Sequence, residues 1–119
     1  MITLIEYPPC STCKKAKAFL RAYNIDFVSR HIVSETPSKE ELLNWMQVYD
    51  LNINQYFNTH GKKYRELKLK NRLNTLSDDT KLSLLSRDGM LIKRPLLVMN
   101  NQLLIGFNVD EWKAALKSK

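Results

Sequence analysis

Hydrophobic and polar positions change their period several times along the 119 residues, and each change marks an element. Residues 2–7 alternate β-branched and apolar residues ahead of Pro8-Pro9, which predicts a short buried strand with an abrupt stop. From Ser11 or Thr12 to about Tyr23 the spacing turns helical. Ala16, Phe19, Leu20 and Tyr23 fall at i, i+3, i+4 and i+7, Lys and Arg fill the other face, and Ser11 and Thr12 are candidate N-caps. Residues 26–33 predict a second strand. Ser34–Pro37 forms a turn, and Ser38 with Glu40 and Glu41 opens a helix carrying Leu42, Leu43, Trp45 and Met46.

The stretch 51–76 has no sustained period. Leu51, Ile53, Tyr56 and Phe57 suggest a short helix, and Gly61 punctuates. Ser77-Asp78-Asp79 starts a further helix that stops near Asp88-Gly89. Leu96–Met99 and Leu103–Ile105 flank Asn100-Asn101, a hairpin signal, and Asp110–Lys117 closes the chain as a helix. The order β-α-β, helices, β-β-α predicts an α/β fold with a four-stranded mixed sheet and flanking helices. A helical insertion, approximately 38–88, separates the two halves.

Length and composition fit one soluble domain over 1–119. The N-terminus lacks the basic region and long apolar run of a signal peptide, and no stretch approaches the ~18 apolar residues of a membrane span. These observations predict a cytoplasmic protein without a membrane partner, in a compartment where thiols stay reduced. The net charge of +7 reads as a solvated basic surface. No element suited to reading a nucleic-acid groove is evident, so direct nucleic-acid binding is not expected. The tightest run of lysines, Lys14-Lys15 with Lys17, adjoins the two cysteines.

Those cysteines carry the chemistry. Cys10-Ser11-Thr12-Cys13 follows a strand and opens a helix, where amide N–H groups and the helix dipole favour a thiolate and nearby cations add to this. Cys10, nearer the helix start, is expected to be the nucleophile. Cys13, one turn on, is expected to resolve a mixed disulfide. Lys14, Lys15 and Lys17 raise the local potential. Zinc bound by Cys10, Cys13, His31 and His60 is an alternative, with spacings unlike common fingers, and inert structural cysteines are another. His31 and His60 otherwise read as surface or strand-end residues, and the Trp, Tyr and Phe side chains as core. The CxxC and element order together suggest a thioredoxin-like fold. In such a fold Pro95, entering the third strand, is typically cis and sets Arg94 beside the thiols, as activator or oxyanion ligand. A proline that merely starts a strand is the plainer possibility.

Taken together, Tyr7–Ala16, Pro37–Leu42, Phe57–Leu67, Asp88–Pro95 and Ile105–Phe107 resemble the arsenate reductase (ArsC)/Spx/MgsR family, especially its short Firmicute-type branch named for arsenate reductase. The resemblance spans essentially the whole chain. It implies a thiol–disulfide oxidoreductase using Cys10, Cys13 and Arg94, with Ser11, Thr12, Lys14 and Pro95 in support. Glutaredoxin, thioredoxin or a low-molecular-weight thiol would donate electrons, and no metal or organic cofactor is needed. Of the three arginines that hold arsenate in the glutaredoxin-linked enzymes only Arg94 is present. Asn58 stands at the first position and Gly106-Phe107 at the last, which argues against authentic arsenate reduction. The family equally implies a Spx-like redox-sensing transcriptional regulator that binds the C-terminal domain of the RNA polymerase alpha subunit. The long tail and the glycine-bearing contact segment of Spx have no evident counterparts here.

Overall fold

Strand β1 (Ile2–Glu6) forms because its residues are buried on both sides, with Leu4 and Ile5 fully enclosed. In this computed structural model, which describes residues 1–117, β1 lies inside a four-stranded mixed sheet of order β2-β1-β3-β4. Strands β3 (Leu96–Val98) and β4 (Leu103–Ile105) follow antiparallel, so that Leu4 faces Leu97 and Leu97 faces Leu104. The Met99 amide donates to the Gln102 carbonyl at 2.9 Å and closes the hairpin expected around Asn100-Asn101. Strand β2 (Phe27–His31) is the half-exposed edge. The topology is thioredoxin-like, as the element order predicts.

The chain divides into two units, 1–30 with Arg94 onward and His31–Lys93. In the first, Ile2, Leu4, Leu97 and Leu104 of the sheet meet Ala16 and Leu20 of α1 (Ser11–Ala22). Trp112, Ala115 and Leu116 of α6 (Val109–Lys117) complete that core. Trp112 is fully buried, its indole N–H donates to the Gly106 carbonyl at 3.1 Å, and Phe107 packs edge-on at 4.8 Å. Gly106 permits this approach with a φ of 78°, a region costly for any residue with a Cβ. Truncating a tryptophan so placed costs about 3–5 kcal/mol in comparable cores.

The second unit is helical. Helix α2 (Lys39–Tyr49) starts in a reciprocal cap: Ser38 Oγ accepts from the Glu41 amide at 3.1 Å, and the Ser38 amide donates to Glu41 Oε1 at 3.0 Å. Such a box is worth about 1 kcal/mol. Helix α2 packs on α5 (Asp78–Arg87), which Ser77 caps. Between them the segment without a clear period resolves into a 3-10 turn at Ile53–Tyr56 and two short helices, α3 (Lys62–Glu66) and α4 (Leu69–Arg72). None is long enough to establish a period. Each is anchored by a few buried side chains instead: Ile53, Tyr56, Phe57, Tyr64, Leu69 and Leu73. The Tyr56 hydroxyl donates to the Leu42 carbonyl at 2.9 Å. Backbone pairing ties residues 56–58 to 91–93, with the Asn58 amide donating to Leu91 at 2.7 Å and the Lys93 amide to Tyr56 at 2.6 Å.

Gly89 has a steric reason to be glycine. A Cβ there would stand 2.0 Å from the Ile32 carbonyl oxygen, a backbone atom that cannot rotate away. At Gly61 the nearest obstacle, at 2.7 Å, is the end of the Asn58 side chain. Gly89→Ala is therefore expected to destabilise the fold by about 1–3 kcal/mol, and Gly61→Ala by less than about 1 kcal/mol. Urea denaturation midpoints at constant m-value measure both, and equal shifts would refute this account of Gly89.

Candidate functional site

The site begins with the collision between β1 and Pro8-Pro9. The strand ends at Glu6, the Cys10 amide donates back to the Tyr7 carbonyl at 2.9 Å, and the Cys10 carbonyl accepts the first helical bond from Lys14 at 3.0 Å. Cys10 is thus the N-cap of α1, with extended dihedrals of −73° and 126°. Ser11 and Thr12, the expected caps, are instead inside the first turn. A cap must take extended dihedrals before the helix begins, and the Pro-Pro break places that residue at position 10. The Cys10 sulfur makes no short cap hydrogen bond, yet it lies where the Thr12 and Cys13 amides act on it.

The two thiols, both free, differ sharply in environment. Cys10 is partly exposed and Cys13 fully buried. Burial pushes Cys10 up. The Cys13 amide and thiol, the Thr12 amide and the charge of Arg94 together outweigh it, leaving Cys10 below its ordinary value. Burial dominates at Cys13. The charge and hydrogen bond of Cys10 add to it, the Tyr7 amide and Arg94 oppose it, and the thiol is pushed up to about 12. The surroundings thus make Cys10 the more acidic thiol and hold Cys13 protonated at neutral pH, a division of labour suited to dithiol exchange.

The Arg94–Pro95 bond is cis, Pro95 is buried, and the guanidinium lies over the Tyr7 ring at 5.4 Å from its centre. Its Nε and Nη1 atoms are buried with no hydrogen-bond acceptor among the described residues. A cation held by a ring face and the thiol field keeps these donors available to an incoming anionic group.

The lysines behave differently from expectation. Lys14 and Lys15 are exposed, and neither is among the groups that shift Cys10. Lys17 is turned to Glu6, with Nζ 3.1 Å from Oε1. Glu6 was not foreseen as a buried acid. It is 3% exposed and also accepts from Ser29 Oγ at 2.8 Å. The signal was its strand parity: Ile2, Leu4 and Glu6 alternate onto one face of β1, and the first two are core. Tyr7 was likewise missed as a site residue. His31 accepts from the Val33 and Ser34 amides at 3.1 and 3.3 Å through Nδ1, and His60 is exposed. No group of three His, Cys, Asp and Glu side chains suited to a metal occurs among the described residues.

This arrangement defines a thioredoxin-like dithiol protein. Its family is equally clear: the ArsC family model matches residues 5–115, and the chain belongs to that ArsC/Spx/MgsR group. The uncharacterized protein YusI of Bacillus subtilis is 43% identical over 94% of this chain and 95% of its own. The regulatory protein MgsR of the same organism is 34% identical over 99% of this chain and 92% of its own. A crystal structure of an ArsC family related protein from Bacteroides fragilis superposes with a TM-score of 0.90, at 41% identity and 95% coverage of both chains.

The split in acidity gives a direct expectation. Cys10 should alkylate with an apparent pKa below the ordinary ~8.5, while Cys13 stays unmodified through pH 9. Arg94→Gln removes a charge that favours the thiolate and should move the Cys10 value upward. Rates of iodoacetamide modification between pH 5 and 10, assigned by mass spectrometry, measure this. A Cys10 value at or above 8.5 would contradict the site's electrostatics.

Proposed function

We propose that Cys10 and Cys13 form a dithiol–disulfide switch and that the protein is a cytoplasmic, redox-sensing regulator of the MgsR and Spx kind. The observation that carries the switch is the placement of the two thiols: Cys10 partly exposed at the N-cap of α1 and Cys13 fully buried one turn on. Whole-chain similarity to MgsR supports a regulatory output. The Cys10 thiolate attacks one sulfur of a disulfide, expelling one thiolate and forming a mixed disulfide. Cys13 then loses its proton to solvent and attacks the Cys10 sulfur, expelling the second thiolate and closing Cys10–Cys13. The two protein thiols are oxidised by two electrons and the incoming disulfide is reduced to two thiols. Oxidation also removes the thiolate opposite Arg94, which is how the redox state would reach a binding surface. The proposed partner is the C-terminal domain of the RNA polymerase alpha subunit.

A catalytic reading uses the same chemistry in turnover, with glutaredoxin, thioredoxin or a low-molecular-weight thiol returning the electrons. The buried, unpaired donors of Arg94 favour it, since they suit an anionic group brought to Cys10. The sequence puts this oxidoreductase reading first; similarity to MgsR moves the weight to regulation. Arsenate reduction itself has little support, because Asn58 and Gly106-Phe107 stand where two of three oxyanion arginines would be.

Two measurements separate these readings. Pull-down with the polymerase alpha C-terminal domain is expected to differ at least tenfold between reduced and oxidised protein, and Cys13→Ser should abolish the difference. Absence of binding in both states, with sustained disulfide turnover when glutaredoxin or thioredoxin is supplied, would overturn the regulator and leave the enzyme.

A further inference from the structure

Most of the chain's net positive charge gathers in one segment of the helical unit. Between His60 and Arg72 stand Lys62, Lys63, Arg65, Lys68, Lys70 and Arg72 against a single acid, Glu66. Six cations and one carboxylate leave five of the chain's seven net positive charges in this one segment. The acid is engaged locally, 3.9 Å from both Lys62 and Lys63, and Lys63 also reaches Asp88 at 4.0 Å. Arg72 donates to the Leu67 carbonyl at 3.0 Å. Arg65, Lys68 and Lys70 have no carboxylate within ion-pair distance among the described residues, and all three are exposed.

These three cations line one hollow of about 380 Å³, with Thr59 and His60 on its wall. The turn between α3 and α4 creates that convergence, and Lys68 occupies it with φ 54° and ψ 38°. Glycine or asparagine holds a left-handed turn at lower cost. A lysine there trades backbone comfort for a third charge on the hollow.

We propose that this face binds the phosphodiester backbone of nucleic acid, through charge and without reading bases. Five net charges exceed what one phosphate group neutralises, whereas a nucleic-acid backbone repeats its charge along the length of both helices. A folded acidic protein would need an apolar centre to its interface. Here Tyr64 and Leu69 are buried, leaving Leu67 as the exposed large apolar side chain of the segment. Lack of a groove-reading helix, which argues from the sequence against direct nucleic-acid binding, does not bear on backbone contact.

Fluorescence anisotropy with a 20-base-pair duplex of arbitrary sequence, titrated in KCl, tests the site. Contact with about three to five phosphates gives a slope of log K against log salt between about −2.7 and −4.5, a loss of roughly 40- to 500-fold from 50 to 200 mM. The variant carrying Arg65→Glu, Lys68→Glu and Lys70→Glu should lose binding at every salt concentration, with helix content by circular dichroism and Cys10 alkylation unchanged. Lys70→Gln alone, a change at an exposed position, should flatten the slope by about 0.9. The proposal is overturned if Lys70→Gln leaves the slope unchanged, or if the triple variant stays folded and binds as the parent does. It is equally overturned if inorganic phosphate at millimolar concentration competes as well as DNA, which would make the hollow a single-phosphate site. Capture of poly-glutamate without capture of DNA would overturn it too, in favour of an acidic protein.

Discussion

Everything chemical in this molecule depends on the way β1 hands over to α1. The strand stops because Pro8 and Pro9 cannot continue it, and four residues later the first helical hydrogen bond must be accepted. That leaves Cys10 as the residue that is neither strand nor helix, half exposed, with the amides of Thr12 and Cys13 acting on its sulfur. The helix continues immediately and carries Cys13 inward to the core side, where burial protonates it. Had the turn been one residue longer, the capping position and the inward-facing position would both have shifted, and neither cysteine would hold its present acidity.

Arg94 acts on this turn from a distant part of the sequence. Its charge favours the thiolate at Cys10 and opposes the burial of Cys13, so it lowers both thiols while their surroundings drive them apart. Tyr7, at the end of the strand, supplies a ring to the guanidinium and a backbone amide to Cys13. Among the described residues Arg94 has the Tyr7 ring beside it and no carboxylate bonded to its buried Nε and Nη1. Glu6 is occupied instead by Lys17 and Ser29. This separation matters, because a carboxylate beside Arg94 would compensate its charge and occupy its donors.

The parts of the fold with a steady period were legible in the sequence, and for physical reasons. Ala16, Phe19, Leu20 and Tyr23 mark α1 because a twelve-residue helix repeats its inward face often enough to be seen. Ser38 and Glu41 form the cap that the pattern announces, and Asn100-Asn101 sits at the hairpin turn. Two cysteines three apart after a strand mark the candidate site in the sequence. The remainder was hidden where local pattern and tertiary burial disagree. Ser11 and Thr12 look like caps by residue type, but backbone geometry gives that place to Cys10. Lys17 looks like one of three cations beside the thiols, yet a buried carboxylate claims it. Lys81 lies on a helix whose polar residues suggest exposure. It is only 6% exposed, because its long stem packs while its ammonium donates to Asn54 at 2.9 Å. In 51–76 each turn is fixed by one or two anchors, and such anchors leave no period to read.

Each of the two units contains one of the chain's two tryptophans, Trp112 in the unit with the thiols and Trp45 in the helical one. Trp112 is enclosed by Phe107 and bonded to the Gly106 carbonyl, while Trp45 lies on the buried face of α2. The molecule therefore carries a separate optical reporter for each unit. Single-tryptophan forms would distinguish a loosening of the redox half from a loosening of the insert, something no whole-chain signal could do.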